Sequence, residues 1–290
     1  MIQSMTGFGK VTAELPTKKV TVEIRALNSK QIDISTRMPS IYKEKEMEIR
    51  SQLLKALERG KIELNIQVEN IGKEAITQIN TNIVESYLTQ IKDLSGKLGI
   101  ALPSDWFTVL LRLPEVLRSE IAELDESEWN TIQQTIDDAI SQLREFRIQE
   151  GSMLQKLFIE NINNISSQLT EMEKFEPERI EKIKARILDN LDKVVSTDYD
   201  KNRFEQEMIY YIEKLDVNEE KNRLVNHLKY FVSTMEEGHG QGKKLGFIVQ
   251  EIGREINTLG SKSNHAEMQQ IVVRMKDDLE QIKEQVLNVL

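Results

Sequence analysis

The chain contains no cysteine. That absence excludes a disulfide scaffold, a thiolate zinc site, an iron–sulfur cluster and a cysteine nucleophile. Proline is scarce, at 5 of 290 residues, and aromatics make up only 6%. No apolar run approaches the roughly 18 residues of a membrane span. The opening MIQSMTGFGK has no basic head followed by an apolar stretch, so a signal peptide is not expected. A soluble, cytoplasmic protein is the expectation. The hydrophobic fraction of 39% is low and the charged fraction of 30% high for a globular chain. Acidic residues outnumber basic ones, 48 to 39, for a net charge of −9. Taken as an average, that argues against a nucleic-acid binder, because affinity for phosphate comes from Lys and Arg.

The charge is unevenly spread. Residues 1–70 carry 12 Lys/Arg and 9 Asp/Glu, a balance of +3, which leaves −12 on the remainder. Glycine is absent from 152–237, where Pro177 is the one proline. Such a stretch, rich in Glu, Lys, Leu and Ile, predicts long helices. The first 70 residues alternate instead. Val20, Val22, Ile24 and Ala26 fall on one side of a strand, with Thr21, Glu23, Arg25 and Leu27 on the other. Ile32 and Ile34 continue the habit, and Ile62, Leu64, Ile66 and Val68 repeat it. Ser40 to Arg59 is helical, with Gly60 as its stop. The order is β-β-β-α-β, with the early strands pairing as hairpins or a meander. Helices follow over Thr81–Leu98 and Asp105–Leu113.

A long helix is predicted from Ser127 towards Phe175, a second after Pro177, a third from near Asp200 and a fourth after the glycines of 238–246. Near the end, Ile271, Met275, Leu279, Ile282, Val286 and Val289 form one apolar face. The fold class is therefore α+β. A mixed β/α region over 1–150 precedes a long-helix, coiled-coil-like region over 151–290, and the helix from about 127 spans the boundary.

Two polar stripes stand out. On the helix around 220, Asp216, Glu219, Glu220, Arg223 and His227 share one side. Surface pairs at helical spacing account for much of this. Asp216 and Glu220, however, are like charges at i,i+4, and a cation would relieve them. Oxygen ligands with one imidazole suit Mg²⁺ or Mn²⁺. The second stripe lies in KKLGFIVQEIGREINTLGSK, where Gln250, Glu251, Arg254, Glu255, Thr258 and Lys262 oppose the apolar Leu245, Val249, Ile252, Ile256 and Leu259. Gly253 and Gly260 inside this helix cost about 1 kcal/mol each against Ala. They serve close packing or the approach of a substrate. The connector EEGHGQGKK lacks P-loop spacing. It reads as a flexible turn, with phosphate contact by Lys243 and Lys244 as the lesser reading. His239 and His265 read as exposed and non-catalytic.

Together these strings resemble the YicC/YloC family of bacterial endoribonucleases over nearly the whole chain. SMTGFG at Ser4–Gly9 resembles the family opening. VEIRALNSKQIDISTRMP at 22–39 resembles E-I-R-x-x-N-x-R-x-x-D-x-x-x-R-x-P, with Glu23, Arg25, Asn28, Asp33, Arg37 and Pro39 matching and Lys30 where Arg is usual. RGKIEL at 59–64, LPEVL at 113–117 and EG at 150–151 also fit. EEKNRLVNHLKYF at 219–231 and QEIGREINTLGSK at 250–262 resemble the C-terminal motifs. Gly246 stands where the family has the Asp of L-D-F, and Gly253 where Asn is frequent.

The resemblance implies RNA cleavage dependent on a divalent cation, in a ring-like homo-oligomer, a hexamer. Asp216, Glu219, Glu220 and His227 are then expected to form one side of a metal site, with Glu251 and Glu255 on the other if the two helices pack antiparallel. A cation there would lower the pKa of bound water and stabilise charge on the phosphate. His227 is a ligand or a general acid/base. The expected catalytic set is Glu251, Glu255, His227, Arg254 and Lys262, with Arg223 beside them. Arg25, Lys30, Arg37, Arg59 and Lys61 are expected along the path of a single-stranded or stem-loop RNA, with Phe8 or Tyr42 available for stacking. Alternatively, those basic residues pair with acidic residues of a neighbouring subunit. The rival class is a non-catalytic oligomeric scaffold that binds RNA or another protein.

Overall fold

The computed structural model describes residues 2–29, 31–71, 78–118, 124–194, 201–238 and 240–290. Four strands form the first sheet: β1 (Gly7–Glu14), β2 (Lys18–Leu27), β3 (Asp33–Arg37) and β4 (Lys61–Asn70). β1 and β2 make an antiparallel hairpin, with Gly7 opposite Ala26 and Glu14 opposite Lys19. The expected meander stops there. β4 pairs antiparallel with β2 and parallel with β3, which gives the order β1-β2-β4-β3. A 3-10 turn (Ser40–Lys45) and helix α1 (Glu46–Leu57) supply the crossover that a parallel pair requires. The alternation read from the sequence decides the buried face: Val20, Val22, Ile24, Ile62 and Leu64 are at most 1% exposed.

After β4 come β5 (Gln78–Ile79), α2 (Thr81–Leu98), α3 (Trp106–Leu110) and β6 (Leu117–Arg118). Asn80 caps α2 by accepting from the Ile83 amide, and Gly99 ends it in the left-handed region. Helix α4 then runs 48 residues, Glu126–Glu173. Its first half, from Trp129 to Leu143, packs with α1 and the sheet. Its second half, from Leu154 to Met172, belongs to a separate helical core. That core is completed by α7 (Asn218–Glu236), α8 (Gly242–Lys262) and α9 (Ala266–Val286), with α5 (Glu176–Val194) and α6 (Lys201–Lys214) between. The whole apolar face predicted for the last helix is buried there.

Two predicted helices are each interrupted. The third breaks into α6 and α7 where Asp216 Oδ1 accepts from the Asn218 amide at 3.2 Å, a local bond that competes with helix continuation. The fourth breaks into α8 and α9 at Ser263, whose hydroxyl donates to Leu259 O at 2.6 Å. Gln269 Nε2 donates to the freed carbonyls of Gly260 and Ser263.

Tyr42, a stacking candidate by sequence, is fully buried and donates its hydroxyl to Glu128 Oε1 at 2.6 Å. Lys18 reaches the same carboxylate at 2.9 Å. Burial, then the Glu128 carboxylate, pushes the Tyr42 phenol above its ordinary range. A folded pKa above the unfolded one stabilises the fold below about pH 10 and withdraws that support as pH rises further. Tyr42→Phe is expected to cost about 2 kcal/mol in urea unfolding, as for a hydrogen bond to a charged group. It should also lessen the alkaline loss of stability. Unchanged stability at both pH 7 and pH 10.5 would show the bond to be inert.

Candidate catalytic groove and cationic surfaces

Gly238 and Gly240 turn the chain with φ of 94° and 81°, and α8 returns along α7. Lys262, at the end of α8, reaches the start of α7. Its Nζ donates to Asp216 O at 2.9 Å and Glu220 Oε1 at 2.7 Å. The two helices are thus antiparallel. Glu220 is 5% exposed, and its second oxygen, Oε2, is buried without a hydrogen-bond partner among the described residues. Removing Lys262 would leave that carboxylate buried and uncompensated, which costs about 3–5 kcal/mol.

Seven residues forward from Glu220 is His227, and seven back from Lys262 is Glu255. Seven residues are two helical turns, roughly 10 Å, and return to nearly the same face. The contact between Glu220 and Lys262 therefore puts positions 227 and 255 level on facing sides of the pair. Glu255 is 8% exposed and His227 half-buried. Neither has a hydrogen-bond or ion-pair partner among the described residues.

The other predicted groups are already engaged. Glu219 pairs with Arg223, and Glu251 with Arg254 at 2.5 Å, both near the surface. Asp216 accepts from Asn218 at the start of α7. Among the described residues no group of three or more His, Asp or Glu side chains is placed to hold a metal ion. Among the described residues of one chain the expected ligand set of Asp216, Glu219, Glu220, His227, Glu251 and Glu255 is thus not brought together as a group of three or more. The charges beside Glu219, Glu220 and Glu251 are those of Arg223, Lys262 and Arg254. His265, read as exposed, is instead enclosed. Its side chain is 0% exposed, tilted against Phe175 at 5.6 Å, with Glu267 and Glu178 at 3.0 and 3.6 Å.

The second set of predicted residues divides between two places. On the open face of the first sheet, Arg25 sits opposite Glu63, and Asn65 opposite Arg37. A cavity of about 290 Å³ there is lined by Glu23, Arg25, Ser35, Arg37, Glu63 and Asn65. Arg25 pairs with Glu23 at 2.5 Å and lies 5.9 Å from the centre of the Phe8 ring, which is 40% exposed. Lys61 pairs with Glu63 at 3.2 Å. The acid partners of Arg25 and Lys61 lie in the same sheet. Arg59 lies elsewhere and donates to Ser29 O at 3.1 Å. Lys30 and His239 lie outside the described residues.

Several quoted motifs prove to be joints. Thr6 donates to Glu150 Oε2 at 2.6 Å, and Asn28 donates to Leu287 O at 2.8 Å. The Met5 amide donates to Asn288 O at 2.7 Å, and Leu290 returns a bond to Gln3 O. Arg147, which sequence reading missed, centres this joint. It is 2% exposed and donates to the carbonyls of Met5 and Arg59, each at 3.2 Å. Burial holds the pKa of its guanidinium below the ordinary arginine value, with Glu58 opposing the shift in part. One signal in the sequence pointed to it: Leu143, Arg147, Gly151, Leu154 and Phe158 form a helical stripe on which one residue is charged.

The fold and its surfaces define a class: a two-core α+β protein with a histidine and a carboxylate level across paired helices, cations around them, and a cation-bearing sheet face. The comparisons with known proteins sharpen that class. Residues 2–156 match the family model described as endoribonuclease YicC-like, N-terminal region, and residues 172–290 match endoribonuclease YicC-like, C-terminal. The chain belongs to the YicC-like endoribonuclease family. A probable endoribonuclease YicC from Clostridioides difficile (strain 630) is 30% identical over 295 residues, covering 100% of both chains. One from Haemophilus influenzae (strain ATCC 51907 / DSM 11121 / KW20 / Rd) is also 30% identical with the same coverage. Among the described residues no helix is long and apolar enough to cross a membrane.

Proposed function

We propose that this chain cleaves RNA internally, with the paired helices α7 and α8 carrying its chemical centre. The observation that carries the reading is that His227 and Glu255 are unpaired among the described residues and stand at the same level of the antiparallel pair, two turns from the Glu220–Lys262 contact. Arg223 and Arg254, held by Glu219 and Glu251 near the surface, lie on the same two helices, and Lys262 is held by Glu220 two turns from Glu255. A phosphodiester bound here would compete with Glu219 and Glu251 for the two guanidinium groups, and would meet two groups able to move a proton. One of the pair takes the proton from the attacking oxygen as the other protonates the leaving oxygen.

The expected need for Mn²⁺ or Mg²⁺ is open to direct test, because among the described residues of one chain no three-ligand cluster is assembled. The test combines both questions. Purified protein is incubated with a labelled stem-loop RNA in Mn²⁺, in Mg²⁺ and in chelator. Fragments in any condition support the nuclease, and their loss in chelator establishes the cation requirement. A shifted but intact band in every condition favours the rival, a non-catalytic scaffold. The double substitution Glu251→Gln and Glu255→Gln, with folding unchanged, should abolish cleavage. Full activity in that variant would remove the groove from consideration.

The reading includes a ring-like homo-oligomer, a hexamer. Its support is the segment 78–118. Helix α2 is amphipathic yet has no buried residue, and Leu94, Leu98, Ile100 and Phe107 are 59–77% exposed. An apolar surface of this kind marks an interface. Leu98→Glu with Phe107→Glu is expected to reduce the mass measured by light scattering. An unchanged mass would place the interface elsewhere.

RNA is expected to travel over the open sheet face, through Arg25, Arg37 and Lys61. Affinity should then fall as salt rises, with a slope that flattens by about one unit for each phosphate-contacting cation removed. An Arg37→Ala variant with the wild-type slope would exclude that residue from the path.

A further inference from the structure

A second cavity, of about 270 Å³, lies between the turn before β4 and the first turns of α8. Its walls include Arg59, Lys243, Phe247 and Gln250, with Met5 and Val289 among its apolar lining. Among the described residues two cations and no carboxylate line it, in a chain whose net charge is −9. The cavity on the sheet face contains Glu23 and Glu63, and the one beside Arg144 and Arg147 contains Glu58. Neither Arg59 nor Lys243 has an ion-pair partner among the described residues. Phe247 is 57% exposed, on the side of α8 away from the buried Leu245, Ile248, Val249, Ile252 and Ile256. Gly246 also lines the cavity, and a Cβ there would meet nothing within 4 Å.

Lys243, Phe247, Gln250 and Arg254 are spaced 4, 3 and 4 apart along α8. That spacing makes one exposed stripe about 16 Å long. It begins in the cavity and ends at Arg254, the cation that pairs with Glu251. Arg59, at the other wall, is separated from Lys61 on the open sheet face by Gly60 alone.

We infer that this cavity is a subsite for one nucleotide of single-stranded RNA, holding its phosphate between Arg59 and Lys243 and its base against Phe247, upstream or downstream of the cut. The cations supply charge without a competing carboxylate, the aromatic ring supplies a flat apolar face, and Gln250 supplies an amide for a base edge. Single strand is favoured over duplex, because a base must leave its stack to reach the ring. The subsite lies apart from His227 and Glu255, so it holds substrate without touching the reacting atoms. The inference rests on the RNA reading above.

The test is fluorescence anisotropy with a mixed-sequence 12-nucleotide RNA, single-stranded and then annealed to its complement. Lys243 and Phe247 are not core residues, so their variants should retain the wild-type melting temperature. Phe247→Ala is expected to weaken binding of the single strand roughly 5- to 100-fold, as for loss of a base-stacking ring, with a smaller effect on duplex. Lys243→Ala should weaken binding and flatten its salt dependence. If wild-type protein binds RNA and both variants match it, the subsite is overturned and the endoribonuclease reading stands. If wild-type protein binds neither RNA, both fall together.

Discussion

Replacing His227 by Ala is expected to slow RNA cleavage about 10²- to 10⁴-fold, the usual contribution of a positioned acid or base. RNA affinity should stay within a few fold. The half-buried ring has no hydrogen-bond or ion-pair partner among the described residues, so its loss removes no bond that holds α7 to α8. Glu255→Gln should act similarly, because the amide keeps the shape of the buried side chain but cannot accept a proton. If the two residues work as a pair, the double variant should be little slower than either single one. Multiplicative losses would show them acting independently. Wild-type cleavage by His227→Ala would move the chemistry out of the groove.

The second large effect is on stability, at two glycines. Gly9 lies where β1 crosses α4, and an added Cβ would come within 2.1 Å of Ala139 O. Gly151 lies where α4 passes the chain start, and there a Cβ would come within 2.2 Å of Ile2 O. Both obstacles are backbone, which cannot swing aside as a side-chain tip can. Gly9→Ala and Gly151→Ala should each cost about 3 kcal/mol, the upper range for an overpacked core. Gly96→Ala is the internal contrast. Its site in α2 is open, with nothing within 4 Å, so the helix preference for Ala should stabilise it by up to about 1 kcal/mol. Thermal melts of the three variants read the result directly. Equal melting points for Gly151→Ala and Gly96→Ala would show that the chain start does not pack on α4 as described.

These two sites also show what several family motifs do. SMTGFG, with Gly7 and Gly9, and the Glu150–Gly151 pair meet at one joint. Thr6 bonds Glu150, and Arg147 binds two carbonyls from distant segments. A linear reading quotes these strings for their resemblance and assigns them no role. It passed over Arg147, whose value depends on carbonyls 142 and 88 residues away along the chain.

Periodicity alone determined much of the molecule. Alternation at 20–26 and 62–68 placed the core face of the sheet. The spacing from Ile271 to Val289 placed the inner face of α9. The glycine-free stretch announced the long helices, and the span Thr81–Leu98 was set by its local pattern. These features are local, decided within a few residues by burial and backbone geometry. Tertiary structure alone decided the rest. It inserted β4 between β2 and β3, buried Tyr42 and His265, and tied both chain ends to the middle of α4. It also matched Glu219, Glu220 and Glu251 with Arg223, Lys262 and Arg254, and left His227 and Glu255 without a hydrogen-bond or ion-pair partner among the described residues. The physical reason is that the charge state and freedom of a side chain depend on neighbours brought by packing. The opening balance of −9 was an average over groups that the fold pairs, buries or leaves open one by one.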